Sequence, residues 1–102
     1  MTLEQIRNAF RQGRYKITLH ARQQMVDREV YREDLGYVFD RGEIIREVPK
    51  ARPNPKVHVA GVLPNGETLI VVVSKPKRSQ IYRIVTVFFP HENGELLYEN
   101  GC

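Results

Sequence analysis

The sequence is poor in the residues that build covalent and metal scaffolds. It has one cysteine, Cys102, and no tryptophan. A lone cysteine closes no internal disulfide and makes no metal site by itself. No apolar run approaches the ~18 residues that a membrane-spanning helix needs, and the N-terminus has no apolar signal segment. No membrane association or secretion is therefore expected, and a cytoplasmic location is. The glycine-rich phosphate loop, the HExxH pair, the CxxC pair and the serine elbow are all missing. His20, His58 and His91 are far apart in sequence, with no compact group of carboxylates beside them. Neither a metal centre nor another cofactor is expected. A chain of 102 residues leaves no room for separate catalytic and binding domains, so one domain over residues 1–102 is expected.

What is present is a core-forming fraction and a surplus of positive charge. A hydrophobic content of 41% suffices for one modest core and is too high for a disordered basic tail. The net charge of +4 conceals segments of opposite sign. Residues 1–24 carry Arg7, Arg11, Arg14, Lys16 and Arg22 against Glu4 alone. Residues 50–83 carry Lys50, Arg52, Lys56, Lys75, Lys77, Arg78 and Arg83 against Glu67 alone. Residues 25–49 and the stretch from 84 onward are net acidic. If the two basic segments share a surface, its field attracts phosphate polyanions or an acidic protein.

The first half of the chain has helical periodicity. Thr2 and Gln5 have capping-box spacing, Leu3, Ile6 and Phe10 follow at helical intervals, and Gly13 is a stop signal. Residues 15–18 (YKIT) are a short strand candidate. A second helix is expected to start at Thr18 or His20, with Ala21, Met25 and Arg28 near one face. A third is expected over about 31–41, with Leu35, Val38 and Phe39 as its apolar stripe and Gly42 as its end. Gly36 weakens that helix by roughly 1 kcal/mol against Ala and is expected to permit close packing on the first helix.

After Gly42 the pattern becomes extended. EIIREV runs to Pro49, ARPNPK forms a loop, and the runs 57–63 and 67–73 flank the turn signal PNG. SKPKRSQ is a basic loop, and IYRIVTVFF at 81–89 is the most apolar run, expected to be central. ELLYE near the end is expected to be an edge strand or a docked tail. The expected fold class is α+β: N-terminal helices packed on a three- to four-stranded antiparallel meander sheet.

Chemistry without a metal has to come from His, Arg, Lys and Tyr. Cleavage of RNA needs a group to activate the 2′-hydroxyl, a proton for the leaving oxygen and cations for the phosphorane. His20, at a strand-to-helix junction, is the sharpest candidate; its plainer role is a cap or a core histidine. Arg28, eight residues on, projects about 80° from His20 on an unbroken helix; its plainer role is a pair with Asp27, Glu29 or Glu33. Strict alternation puts Arg83 with Val85, Val87 and Phe89, and Tyr82, Ile84, Thr86 and Phe88 opposite. Both faces are largely apolar, so Arg83 is expected to be partly buried or at a cleft edge, facing an anion. Tyr98 is a candidate for base stacking or proton transfer, and otherwise a tail anchor. Lys75, Lys77 and Arg78 form a cationic loop suited to RNA phosphates. His91, just past the same strand, is a weaker acid–base candidate.

The run ITLHARQQMVDREV, followed by GEII, resembles the opening of the small bacterial DUF4258 domains. Their pattern is roughly T-x-H-A-x-x-R-M-x-x-R-x-I, then a helix and G-E-I-I. Thr18, His20, Ala21, Met25 and Arg28 match it, as do Gly42, Glu43, Ile44 and Ile45. Val30 stands at the Ile position and Gln24 at an Arg position. HVAG at 58–61 and LIVVVS at 69–74 are similar to the family's middle strands. IVTVFFP at 84–90 is similar to its closing I-x-T-V-Y-x-P, with Phe88 at the Tyr position. The likeness covers about residues 15–90. That family looks related to RelE-like toxins of type II toxin–antitoxin systems, which are small, basic, metal-independent endoribonucleases often neutralised by an antitoxin. The resemblance thus implies a RelE-like α+β fold and a ribonuclease cutting mRNA, with RNA or the ribosome and a cognate antitoxin as partners. His20 and Arg28 are the motif residues that carry over.

Three readings follow: an endoribonuclease toxin, a non-catalytic RNA- or ribosome-binding domain, and a module that binds an acidic protein. Convergence of His20, Arg28 and Arg83 on one concave basic surface favours the enzyme. A basic surface without a poised acid or base favours the RNA binder. An exposed apolar groove or an unpaired sheet edge favours a protein partner.

Overall fold

Thr2 and Thr18 start the first two helices. In the computed structural model, which describes residues 1–92, Thr2 Oγ1 accepts the Gln5 amide and Gln5 Oε1 accepts the Thr2 amide. This closes the capping box of α1 (Leu3–Arg11). Gly13, at φ +75°, turns the chain into β1 (Tyr15–Ile17). Thr18 Oγ1 accepts the Ala21 amide at the head of α2 (Leu19–Asp27). Glu29 takes a left-handed conformation at φ 54° and reverses the chain into α3 (Arg32–Arg41). At the start of α3, the Asp34 carboxylate accepts the Tyr31 amide. Leu35, Val38 and Phe39 form the buried stripe of α3, as their spacing predicts.

Strands β2 (Glu43–Val48), β3 (Lys56–Val62), β4 (Thr68–Ser74) and β5 (Tyr82–Phe88) follow. The sheet departs from the expected antiparallel meander of three or four strands. Among the described residues it has five strands in the order β1-β5-β4-β3-β2, and β1 runs parallel to β5. The Thr18 amide donates to the Ile84 carbonyl and the Tyr82 amide to the Arg14 carbonyl, extending that parallel ladder at both ends. The middle strand is β4, whose residues Leu69 to Ser74 are all buried, and β5, expected to be central, lies inside the sheet between β4 and β1.

One face of the sheet carries the helices. α2 lies on β5, α3 on β3, and α1 on α3. Val57, Val59, Val71, Val73, Ile84 and Val87 meet Ala21, Met25, Leu35 and Phe39 there in one core. Full burial of each such side chain contributes about 1.5–3 kcal/mol. α3 can approach β3 closely because Gly61 has no side chain: a Cβ there would lie 2.8 Å from the Val38 Cα. Gly36 faces Phe10 of α1 as expected, with room for a methyl group at 3.5 Å.

The second face carries a smaller cluster, Ile70, Val72 and Phe88 with Ala60 and Val85. Strict alternation along β5 fails here. Val73 pairs with Ile84 and Val72 with Thr86, so Val85 is an extra residue opposite one register step. This β-bulge sends Val85 and Thr86 to the same face. Tyr82, Ile84 and Val87 therefore all reach the helix-side core, where the strict two-residue period separates Val87 from the other two.

Candidate functional site

The register of the strands assembles a row of cations on the second face. Lys16 of β1 is the partner of Arg83 on β5, Arg83 of Ser74 on β4, and Ser74 of Lys56 on β3. Their strand neighbours Tyr15, Ile17, Tyr82, Ile84, Val73 and Val57 belong to the helix-side core, so this row points the other way. Lys16 and Arg83 are exposed and Lys56 is half-buried. At strand spacings of about 4.8 Å the row spans roughly 14 Å. Next to it Arg46 of β2 pairs with His58 of β3, which pairs with Val72. The loop bearing Lys77 and Arg78, both exposed, joins β4 to β5 at the same end of the sheet. Lys75 leans the other way, with its ammonium 6.0 Å from the Tyr82 ring.

The two faces treat their cations differently. On the helix side Arg7 and Arg11 meet Asp40, and Arg28 meets Glu92. Arg32 and Arg41 lie over the rings of Tyr15 and Tyr37. Among the described residues, no carboxylate pairs with Lys16, Lys56, Lys77, Arg78 or Arg83. Lys16 and Arg83 are moreover like charges directly opposite each other, an arrangement that destabilises a sheet.

His58 is 1% exposed on this face. Burial, and then the positive charges of Lys56 and Arg46, lower its pKa to about 4. It is neutral at pH 7 and supplies no cation.

The candidate residues from the sequence take separate places. His20 is exposed in the first turn of α2, so it is neither the cap, which is Thr18, nor a core residue. Gln24, one turn on, accepts the Val87 amide of β5 through Oε1 at 2.9 Å. Arg28, one turn further, donates through Nε to Glu92 at 2.7 and 2.9 Å. None of Asp27, Glu29 and Glu33, the partners expected from sequence, forms this pair. Glu92 also accepts the Phe89 amide. The ridge Gln24–Arg28–Glu92 thus satisfies the stretch of β5 that β1 is too short to cover. An Arg at position 24 could not accept the Val87 amide, because a guanidinium only donates.

His20 and Arg28 are about 12 Å apart along the axis of α2. Arg28 is held at the Phe89 end of β5, six residues and roughly 20 Å from Arg83. The structure therefore brings Arg83 to Lys16 and Lys56, but not to Arg28. Arg83 is exposed rather than buried. His91 stacks on Phe89 with ring centroids 5.7 Å apart. Tyr98 and the ELLYE segment lie outside the described residues. Lys16 and Lys56 counted only toward the charge of the basic segments; the signal that marks Lys16 is its place between Tyr15 and Ile17 in a strand.

Among the described residues no group of His, Cys, Asp and Glu could hold a metal ion, and no helix is long and apolar enough to cross a membrane. No curated protein and no solved structure matches the chain. A family model described as a domain of unknown function, DUF4258, matches residues 17–89, close to the 15–90 expected from the motifs. That span takes in α2, α3 and all of β2 to β5. The chain belongs to the DUF4258 family.

Proposed function

We propose that this domain binds RNA through the phosphate backbone, using the second face of its sheet and the loop between β4 and β5. The observation that carries this reading is the row Lys16–Arg83–Lys56, unpaired with carboxylates among the described residues, while Arg7, Arg11 and Arg28 on the helix side are paired. Like charges held together without counter-ions cost stability, and a phosphate polyanion relieves that cost. Lys77 and Arg78 extend the row at one end of the sheet. Contacts of this kind position a backbone and carry little sequence information.

Binding without cutting suits this geometry better than ribonuclease chemistry. Cleavage needs an acid and a base at one phosphate. On this face His58 is buried, and Arg28 is pinned to Glu92 far from Arg83. The RelE-like toxin reading is the competing one, and the same experiment separates the two.

The experiment is fluorescence anisotropy with a labelled single-stranded RNA across a salt series, with the RNA then run on a denaturing gel after incubation in excess EDTA. With three to five phosphates contacted, the slope of log K against log salt is about −2 to −4. The Lys16→Ala/Arg83→Ala double variant loses about 1.4 of that slope, and the RNA stays intact. Affinity unchanged in the double variant overturns the assignment of the face. Metal-independent cleavage overturns the non-catalytic reading in favour of the toxin-like one.

A further inference from the structure

On the helix side, α2 has apolar residues where none should be exposed. Ala21 and Met25 are its buried positions. Leu19 and Val26, seven residues apart on the outer face, are 75% and 77% exposed. Tyr31, just before α3, is 61% exposed. Ile17, Met25, Val26, Val30 and Tyr31 line a groove of about 540 Å³, with Arg22 and Arg32 also in its wall.

The groove adjoins backbone that no other described strand pairs. Among the described residues β1 is an edge strand and pairs only with β5. The Arg14 carbonyl and the Thr18 amide are turned to β5. In a parallel ladder the groups of alternate residues turn opposite ways, so those of Tyr15 and Ile17 face outward from the sheet. A free edge beside an apolar pocket is the arrangement that receives an added strand: main-chain bonds hold it, and alternate side chains fill the pocket.

The charges around this edge select the occupant. Arg22 and Arg32 stand at the groove, and Lys16 projects from β1 on the other face. Glu29 is the one acid in the lining. A second copy of this chain would oppose these cations with its own, so pairing of β1 with itself is disfavoured. We infer that the edge of β1 and the groove beside α2 dock an extended segment of a different, acidic protein. Its apolar side chains enter the groove beside Arg22 and Arg32, whose positive charges favour an acidic chain, and its alternate acidic side chains meet Lys16 on the opposite face. The groove itself is separate from the proposed RNA surface, with Lys56, Lys77, Arg78 and Arg83 away from it and Lys16 the one residue the two share.

The test uses the whole chain, labelled with ¹⁵N, titrated with three synthetic peptides. The first alternates Glu with Val around a central Phe, the second has Lys for Glu, and the third is a helix-favouring peptide of the same charge as the first. The expected result is perturbation of the Tyr15, Ile17, Met25, Val26 and Val30 amides by the first peptide alone. The Ile17 amide becomes protected from exchange. Val26→Asp, at an exposed position that leaves the core intact, weakens this binding by about tenfold or more and leaves RNA affinity unchanged. Equal binding of the Lys peptide, or preference for the helical one, overturns the proposal. So does undiminished binding in Val26→Asp, or no perturbation by any peptide. A concentration-dependent dimer abolished by Val26→Asp overturns it in favour of a second copy.

Discussion

Replacing His58 by Val tests the electrostatics of the sheet's second face most directly. His58 is buried, and its pKa is lowered from 6.5 to about 4, first by burial and then by Lys56 and Arg46. The unfolded chain takes up a proton near pH 6.5, whereas the folded chain does so only near pH 4. Above pH 6.5 both states hold a neutral imidazole, and His58 gives stability no pH dependence. As pH falls from 6.5 toward 4, the unfolded state binds more protons and stability drops. The loss attributable to His58 is about 0.8 kcal/mol at pH 6, about 2 at pH 5 and about 3 at pH 4. Urea denaturation of wild type and His58→Val from pH 8 to 4 isolates this term, because every other titrating group is shared by the two proteins. Relative to their offset at pH 8, the curves should converge or cross by those amounts as pH falls. An NMR titration should show one imidazole still neutral at pH 5. Parallel stability curves, or a His58 resonance titrating near 6.5 in the folded protein, would refute the reasoning.

Arg28→Ala removes an ion pair in which each side chain is 22% exposed, and leaves Glu92 with the Phe89 amide alone. The expected cost is about 1–2 kcal/mol by urea denaturation, and an unchanged midpoint would show that the pair contributes nothing to the fold. Gly61→Ala forces a Cβ against the Val38 backbone and should cost about 2–4 kcal/mol. Gly36→Ala has room beside Phe10 and should gain about 0.5–1 kcal/mol; thermal melts of the two variants shifting in the same direction would contradict the packing described for α3.

The helices were readable because their signals are local. Thr2 with Gln5, Thr18, and the Leu35, Val38 and Phe39 stripe each lie within a few residues of the structure they specify. The strands from β2 to β5 fell within about a residue of their apolar runs for the same reason. What escaped was non-local. β1 is three residues long and pairs with a strand more than sixty residues away, and nothing in YKIT reports a parallel partner. The bulge at Val85 left no trace because apolar residues surround it on both faces, so a shifted alternation looks like an unshifted one. Arg28 was readable as a cation but not as the partner of Glu92, because that choice depends on where the chain returns after β5. The site was half legible in the same way. The basic segments were visible in the charge pattern. Which cations the packing would pair and which it would leave could be seen only once Asp40 and Glu92 had places.

Lys16 separates a functional from a structural origin for this charge. It lies opposite Arg83 in the ladder, and like charges so placed oppose folding. A sequence shaped by stability alone gains by placing an acid there. Lys16→Glu turns the repulsive pair into an attractive one and should stabilise the domain by about 0.2–1 kcal/mol. The same change should weaken RNA binding more than Lys16→Ala does, since it adds repulsion to the lost contact, and the loss should shrink as salt is raised. Opposite signs for stability and binding would mark Lys16 as held for the ligand at the fold's expense. If both fall together, Lys16 supports the sheet in a way the register does not reveal. If both are unchanged, the Lys16–Arg83 pair is too well screened to direct a polyanion, and the assignment of the second face as the RNA surface fails.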